Sequence, residues 1–372
     1  MLPRHLYVHV PFCGRRCSYC DFSIAVRRTV PVAAYVHAVA RELDVRFSTD
    51  SAWEVDTLYF GGGTPSHLGG WGVAQLMSTL RQRVTLAPRA EVTLEANPDD
   101  ITPDDAAAWR AAGITRLSIG AQSFDDSALA WMHRTHDAAR IAIAVHAARS
   151  AGFTDLSLDL IFALPEALRR DWRRDLALAL ELAPTHLSLY GLTIEGGTPL
   201  ARWRDRGLAI EAPDERYEQE FLLAHELASA AGFEHYEVSN FGRPEYRARH
   251  NSAYWSHVPY AGVGPAAHGY DGTRRRWNAA AYEEWRRAVV ASRDPLAGTE
   301  VLTEEQRAAE RVYLGLRTID GLQMDSRATD QVQRWLDAGW GTMVNGRLRL
   351  SPLGWLRLDT LAGSLTMAGS PY

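Results

Sequence analysis

Short apolar runs alternate with amphipathic helical stretches from residue 5 to about residue 195, and that alternation limits the chain to few folds. The runs are 6–10, 57–60, 91–95, 117–120, 156–161 and 186–190. Between the first two, Val32, Tyr35, Val36, Val39, Leu43 and Phe47 form one apolar stripe, which predicts a helix over 31–47. Another helix should begin after Thr102, with Pro103 in its first position, Asp104 and Asp105 in its first turn and Gly113 just past its end. The Ala-, Leu- and Arg-rich stretches 137–151 and 167–182 read the same way. Six strand–helix units imply parallel strands joined by right-handed crossovers. A closed barrel of eight units takes about 250 residues. Six units therefore predict an α/β fold with a partial, (β/α)6-type barrel, extended by later strands near Tyr236–Val238. In such folds ligands gather at the C-terminal ends of the strands.

A length of 372 residues calls for one large domain plus an appendage. The pattern breaks at Asp294-Pro295-Leu296-Ala297-Gly298, which divides the chain into 1–297 and 298–372. Beyond the break, Thr303 caps a helix to about Leu316 and a second helix runs near Asp325–Ala338. Asn345-Gly346 joins two short strands, and Ser351-Pro352 starts a last helix. This order predicts a small winged-helix-like α+β C-terminal domain.

All 40 basic residues are Arg, so lysine chemistry is excluded: no P-loop, no Schiff base, no lysine-anchored pyridoxal phosphate. The net charge of −5 argues against a nucleic-acid partner, and the densest basic run, Arg274-Arg275-Arg276, lies outside the winged-helix-like tail. No apolar run reaches the roughly 18 residues of a membrane span, and the first residues do not read as a signal peptide. A cytoplasmic protein is expected.

The chain's 3 cysteines, Cys13, Cys17 and Cys20, share one loop after the first strand. An odd, tight cluster is a soft-metal site rather than a disulfide framework. Three thiolates can hold three corners of a 4Fe–4S cluster, whose fourth iron must then take another ligand. A zinc site completed by His5 or His9 is the competing reading, although zinc loops favour paired Cys-x2-Cys spacing. Other polar segments follow the successive strands: Gly61-Gly62-Gly63-Thr64-Pro65, Glu95 with Asn97-Pro98, and Gln122-Ser123-Phe124 with Arg134 downstream. All would meet on one rim. The glycines would let the backbone approach a ligand, or would merely make a tight turn. Glu95 reads as a ligand carboxylate or a surface one. Asp159 lies inside an apolar strand, where a carboxylate needs a partner.

Together these motifs resemble the radical SAM superfamily. The frame Tyr7-x-His9-x-Pro11-Phe12-Cys13, with Gly61-Gly62-Gly63-Thr64-Pro65, Gln122-Ser123-Phe124 and Leu158-Asp159-Leu160-Ile161, resembles its oxygen-independent coproporphyrinogen III oxidase group. The resemblance implies a radical SAM barrel with a 4Fe–4S cluster on Cys13, Cys17 and Cys20. It implies S-adenosylmethionine on the open iron, contacted by Tyr7, Gly62, Gly63, Thr64, Glu95, Gln122, Arg134 and Asp159, with Tyr19 near the adenine. It also implies an electron donor for the cluster.

Two departures point to the haem-chaperone branch of that group. Phe22 stands where the decarboxylating enzymes carry a further Cys, and only 12 residues precede Cys13. The branch also carries a His-Asn-x-x-Tyr-Trp motif, here His250, Asn251, Tyr254 and Trp255. Imidazole ligates haem iron and aromatic rings stack on porphyrin, so the resemblance implies haem b on His250, delivered to haem-accepting proteins. Otherwise His250 is a packing residue. Arg243, Arg247 and Arg249 would pair with propionates or form a solvated face. A porphyrin-precursor oxidase or dehydrogenase is the alternative activity.

Overall fold

The computed structural model describes residues 2–47, 52–324 and 330–367. Strands β1 (His5–Val10), β2 (Glu54–Gly62), β3 (Thr85–Ala96), β4 (Arg116–Gln122), β5 (Asp155–Phe162) and β6 (His186–Gly191) lie side by side in that order, each parallel to the next. They contain all six expected runs. Near Tyr236, β7 (Glu234–Glu237) and β8 (Asn240–Gly242) extend the sheet, β8 pairing antiparallel with β6 and β7 antiparallel with β8. At the opposite edge β9 (Ala261–Val263) runs parallel to β1. The order is β9-β1-β2-β3-β4-β5-β6-β8-β7, and the two edge strands do not pair, so the sheet is an open, partial barrel.

The six inner strands alternate with period two. One face carries Leu6, Val8, Leu58, Phe60, Leu94, Leu117, Leu158 and Leu187, which pack with helix residues such as Tyr35, Leu76, Trp109, Ile141 and Leu176 in one core. Burying each such side chain stabilises by about 1.5–3 kcal/mol, which offsets an unusually polar opposite face. Register places Tyr7 beside Tyr59, Glu95 beside Ser118, Ser118 beside Ser157, and Asp159 beside Ser188 in cross-strand rows.

Helices cross between the strands. Val32–Arg46 and Pro103–Ala112 match expectation; Thr102 accepts from the Asp105 N–H, and Gly113 ends the helix at φ 100°. The helix expected over 167–182 begins later, at Trp172. Arg169 adopts a left-handed φ of 51°, and the Asp171 side chain caps the start by accepting from the Arg174 N–H.

A three-stranded meander, His268–Tyr270, Arg274–Asn278 and Leu296–Val301, was not legible as strands. The division expected after residue 297 falls inside its last strand. The helix Glu304–Arg317 follows, with a capping box between Thr303 and Gln306, and we propose that the second part begins there. Its three-stranded sheet orders Leu322–Gln323, Arg347–Leu350 and Gly341–Val344, the last two joined by the expected hairpin. The helix expected near Asp325 is described from Asp330 to Asp337; its expected start lies outside the described residues. The tail shares the barrel's core: Val312, Trp335, Trp355 and Leu365 belong to the same apolar cluster as Leu6. Among the described residues no helix is long and apolar enough to cross a membrane.

Candidate functional site

The cysteine loop leaves β1 through Pro11 and folds over the strand ends. Phe12–Cys13 bridges Ala25–Val26 in parallel, closing the loop on itself. Ser18 pins it from both sides, donating its N–H to Met132 O (3.1 Å) and accepting from the Leu200 N–H (2.8 Å). The three cysteines are free thiols lining one cavity of about 430 Å³. Cys13 is buried, with Sγ 3.3 Å from Thr64 Oγ1. Burial pushes its thiol up to about 11 and raises that of Cys20. A bound cation reverses that preference, because metal ligation requires the thiolate.

Arg134 reaches the same cavity. Its Nη1 lies 3.5 Å from Cys17 Sγ, while Nη2 donates to Asn97 Oδ1 (2.5 Å) and Gly120 O (2.8 Å). Its Nε is buried with no protein partner. Three soft donors facing one cavity beside a cationic fork whose Nε lacks a protein partner fit a cluster with one open iron and an anionic chelator. They do not fit zinc on His5 or His9. Neither lines the cysteine cavity: His5 Nδ1 bonds Thr57 Oγ1 (2.9 Å), and both His9 ring nitrogens are engaged, by the Tyr7 hydroxyl (3.1 Å) and Ser23 O (3.0 Å). Among the described residues no three His, Cys, Asp or Glu side chains surround a single-ion position.

The glycine turn is demanded by the protein itself. Gly62 has φ 110°, and a Cβ there would meet the His9 ring at 2.5 Å; at Gly63 it would meet the Pro11 backbone at 2.7 Å. The side-chain side is thus filled, and both residues also line the cavity.

Glu95 accepts from the Tyr59 hydroxyl (2.7 Å) and the Gly62 N–H (3.1 Å). Burial pushes its carboxyl up to about 7 despite these bonds. Asp159 is held by Ser118 (2.8 Å) and Ser157 (2.9 Å), the partners its apolar strand required; burial raises it too. Gln122 sits at a left-handed φ of 65° at the irregular end of β4.

Tyr19, Gly62, Gly63, Thr64, Glu95, Gln122, Arg134 and Asp159 therefore share one cavity with the three cysteines. Tyr7 does not line it; its ring stacks behind on Tyr59 at 6.1 Å. Asn97, expected on this rim, lines it as well, and Tyr59, Arg116, His186 and Tyr190 line it without having been singled out. The period-two polarity of the strands carried that signal.

The His-Asn-x-x-Tyr-Trp motif forms the short helix Arg249–Trp255. His250 is 1% exposed. Its Nδ1 bonds Thr57 Oγ1 (2.7 Å), its Nε2 the Tyr254 hydroxyl (2.8 Å), and its ring stacks on Tyr59 at 5.0 Å. Burial lowers its ring to about 3, so it is neutral. In this arrangement neither ring nitrogen is free for iron. Asn251 lines the cluster-side cavity, whereas Tyr254 and Trp255 line a second one. Arg243 donates to Pro184 O, Arg247 pairs with Glu234 and Asp320, and Arg249 donates to Arg89 O, so all three have protein partners.

The radical SAM superfamily model matches residues 7–179. The sequence is 37% identical to the heme chaperone HemW of Mycobacterium tuberculosis over 98% of this chain and 95% of that one. The chain belongs to the HemW family. HemW of Escherichia coli is 38% identical over 72% of this chain and 70% of its own length. The mitochondrial radical S-adenosyl methionine domain-containing protein 1 of Bos taurus is 40% identical over 71% of this chain and 60% of its own length. The HemW-family fold is also that of coproporphyrinogen III oxidase (HemN) from Escherichia coli, a radical SAM enzyme. That structure matches with a TM-score of 0.80 at 21% identity, covering 99% of this chain and 91% of the other.

Proposed function

We propose that this chain is a cytoplasmic haem chaperone. It holds a 4Fe–4S cluster on Cys13, Cys17 and Cys20, binds S-adenosylmethionine at the open iron, binds haem b, and passes it to haem-accepting proteins. The observation that carries the reading is the convergence of three free thiols and the partly unsatisfied Arg134 fork on one cavity. The relatives named as haem chaperones extend it to haem.

Each residue has a physical task. Arg134 offers a fixed cationic fork to a carboxylate. Gly62 and Gly63, whose missing side chains make room for His9 and Pro11, present backbone to the cavity. Glu95, titrating near neutrality, and Asp159 offer acceptors for a cation or hydroxyls. Tyr19 supplies a ring beside the cysteines. When bound, the cluster on Cys13, Cys17 and Cys20 would supply reducing electrons to the sulfonium ligand, and an electron-donor protein is the partner this would require. Phe22, at the rim of the cavity and 59% exposed, leaves that position without a fourth thiol.

Anaerobic assay tests the reading. The reconstituted protein should bind haem saturably and transfer it to an apo-acceptor without releasing CO2 from coproporphyrinogen III. Catalytic CO2 release would establish the oxidase activity instead.

A further inference from the structure

Tyr254, Trp255 and Tyr260 wall a second cavity of about 270 Å³, closed by Tyr270 and by Leu314 from the helix Glu304–Arg317. Building on the haem-binding reading above, we propose that this cavity grips one edge of an iron tetrapyrrole, with His257 as axial ligand.

The wall is aromatic, which suits a flat macrocycle. Trp255 is pre-set: the Arg317 guanidinium covers it at 4.2 Å, and its indole Nε1 is buried without a hydrogen-bond partner. The volume lies just under the usual range of about 300–1,000 Å³ for small-molecule pockets. A ring held by one edge stays accessible, as a molecule to be handed on must be.

His257 has the features of a ligand that His250 lacks. Its Nε2 lies 2.7 Å from Glu310 Oε2, and Glu310 also accepts from Arg275 (2.6 Å). A carboxylate on one nitrogen fixes the tautomer and ring orientation, the arrangement that typically backs a metal-binding imidazole. Nδ1 has no hydrogen-bond partner among the described residues. Arg275, which also lines the cavity, pairs with Glu310 (2.6 Å) and Glu300 (3.8 Å) and so holds the carboxylate behind His257 in place. The motif then acquires a different role. His250 bonds Tyr254 and so fixes the wall, while Tyr254 and Trp255 face the ring. Because Glu310 and Leu314 come from the C-terminal helix, the site spans the seam between barrel and tail.

Haem titration of the full-length protein, followed by the Soret band, tests this. His257→Gly removes the imidazole where the backbone, at φ 56°, already suits glycine. It should weaken haem binding at least tenfold and shift the Soret maximum, and free imidazole should restore the original band. Unchanged affinity and spectrum in His257→Gly, or loss of the band that free imidazole does not restore, overturn the assignment while leaving the haem reading intact. Absence of saturable binding in the unsubstituted protein overturns both.

Discussion

Arg134 holds its Nη1 3.5 Å from the sulfur of Cys17 while its Nη2 ties together Asn97, after β3, and Gly120, in β4. One rigid fork thus links the cysteine loop to two neighbouring strand ends. Arg134→Lys keeps the charge but cannot span these acceptors. Buried acceptors left unpaired cost about 1–3 kcal/mol each. The variant should unfold at lower denaturant than the parent and respond less to S-adenosylmethionine by EPR; parental values in both would contradict the role.

Glu95 gives a pH signature. Its folded value, about 7, lies above the ordinary 4.5, so the folded state binds the proton more tightly. Stability from this group is present below about pH 4.5 and is lost as pH rises through 7, by up to roughly 3 kcal/mol. Glu95→Gln should remove that loss. Denaturant unfolding at pH 5 and pH 8 should show a smaller pH-dependent difference in the variant; equal differences would contradict the prediction.

His250 titrates with the opposite sign. Its ring, lowered to about 3 by burial, stays neutral in the fold, so its contribution is present above about pH 6.5 and is lost as pH falls towards 3. His250→Gln should lose about 1–3 kcal/mol at pH 8, where Thr57 and Tyr254 lose their partner, yet depend less on pH below 6. Acid-unfolding curves of both proteins decide this.

Glycines separate into two kinds. Gly62→Ala places a methyl 2.5 Å from His9 at φ 110° and should destabilise by well over about 1 kcal/mol. Gly363→Ala, with nothing within 4 Å inside the helix Leu358–Met367, should stabilise by roughly 0.5–1 kcal/mol. Thermal unfolding of the two variants should move in opposite directions.

What the sequence revealed follows physical lines. The six strands were visible because buried parallel strands are apolar runs bounded by turns. Asp159 was legible because a carboxylate in such a run needs partners, and Ser118 and Ser157 supply them. The meander was hidden: its strands are short and for the most part exposed or half-buried, the middle one is Arg-rich, and they exist through pairing rather than periodicity. The closed state of His250 was hidden because it depends on Thr57, 193 residues away. The glycine turn was readable as a turn, but not the His9 ring that requires it.

The most direct test of the central claim is EPR of protein reconstituted anaerobically with iron and sulfide, before and after S-adenosylmethionine. The account predicts a reduced 4Fe–4S signal that changes on addition and disappears in Cys17→Ser. Zinc in place of iron, or a signal indifferent to S-adenosylmethionine, would contradict it.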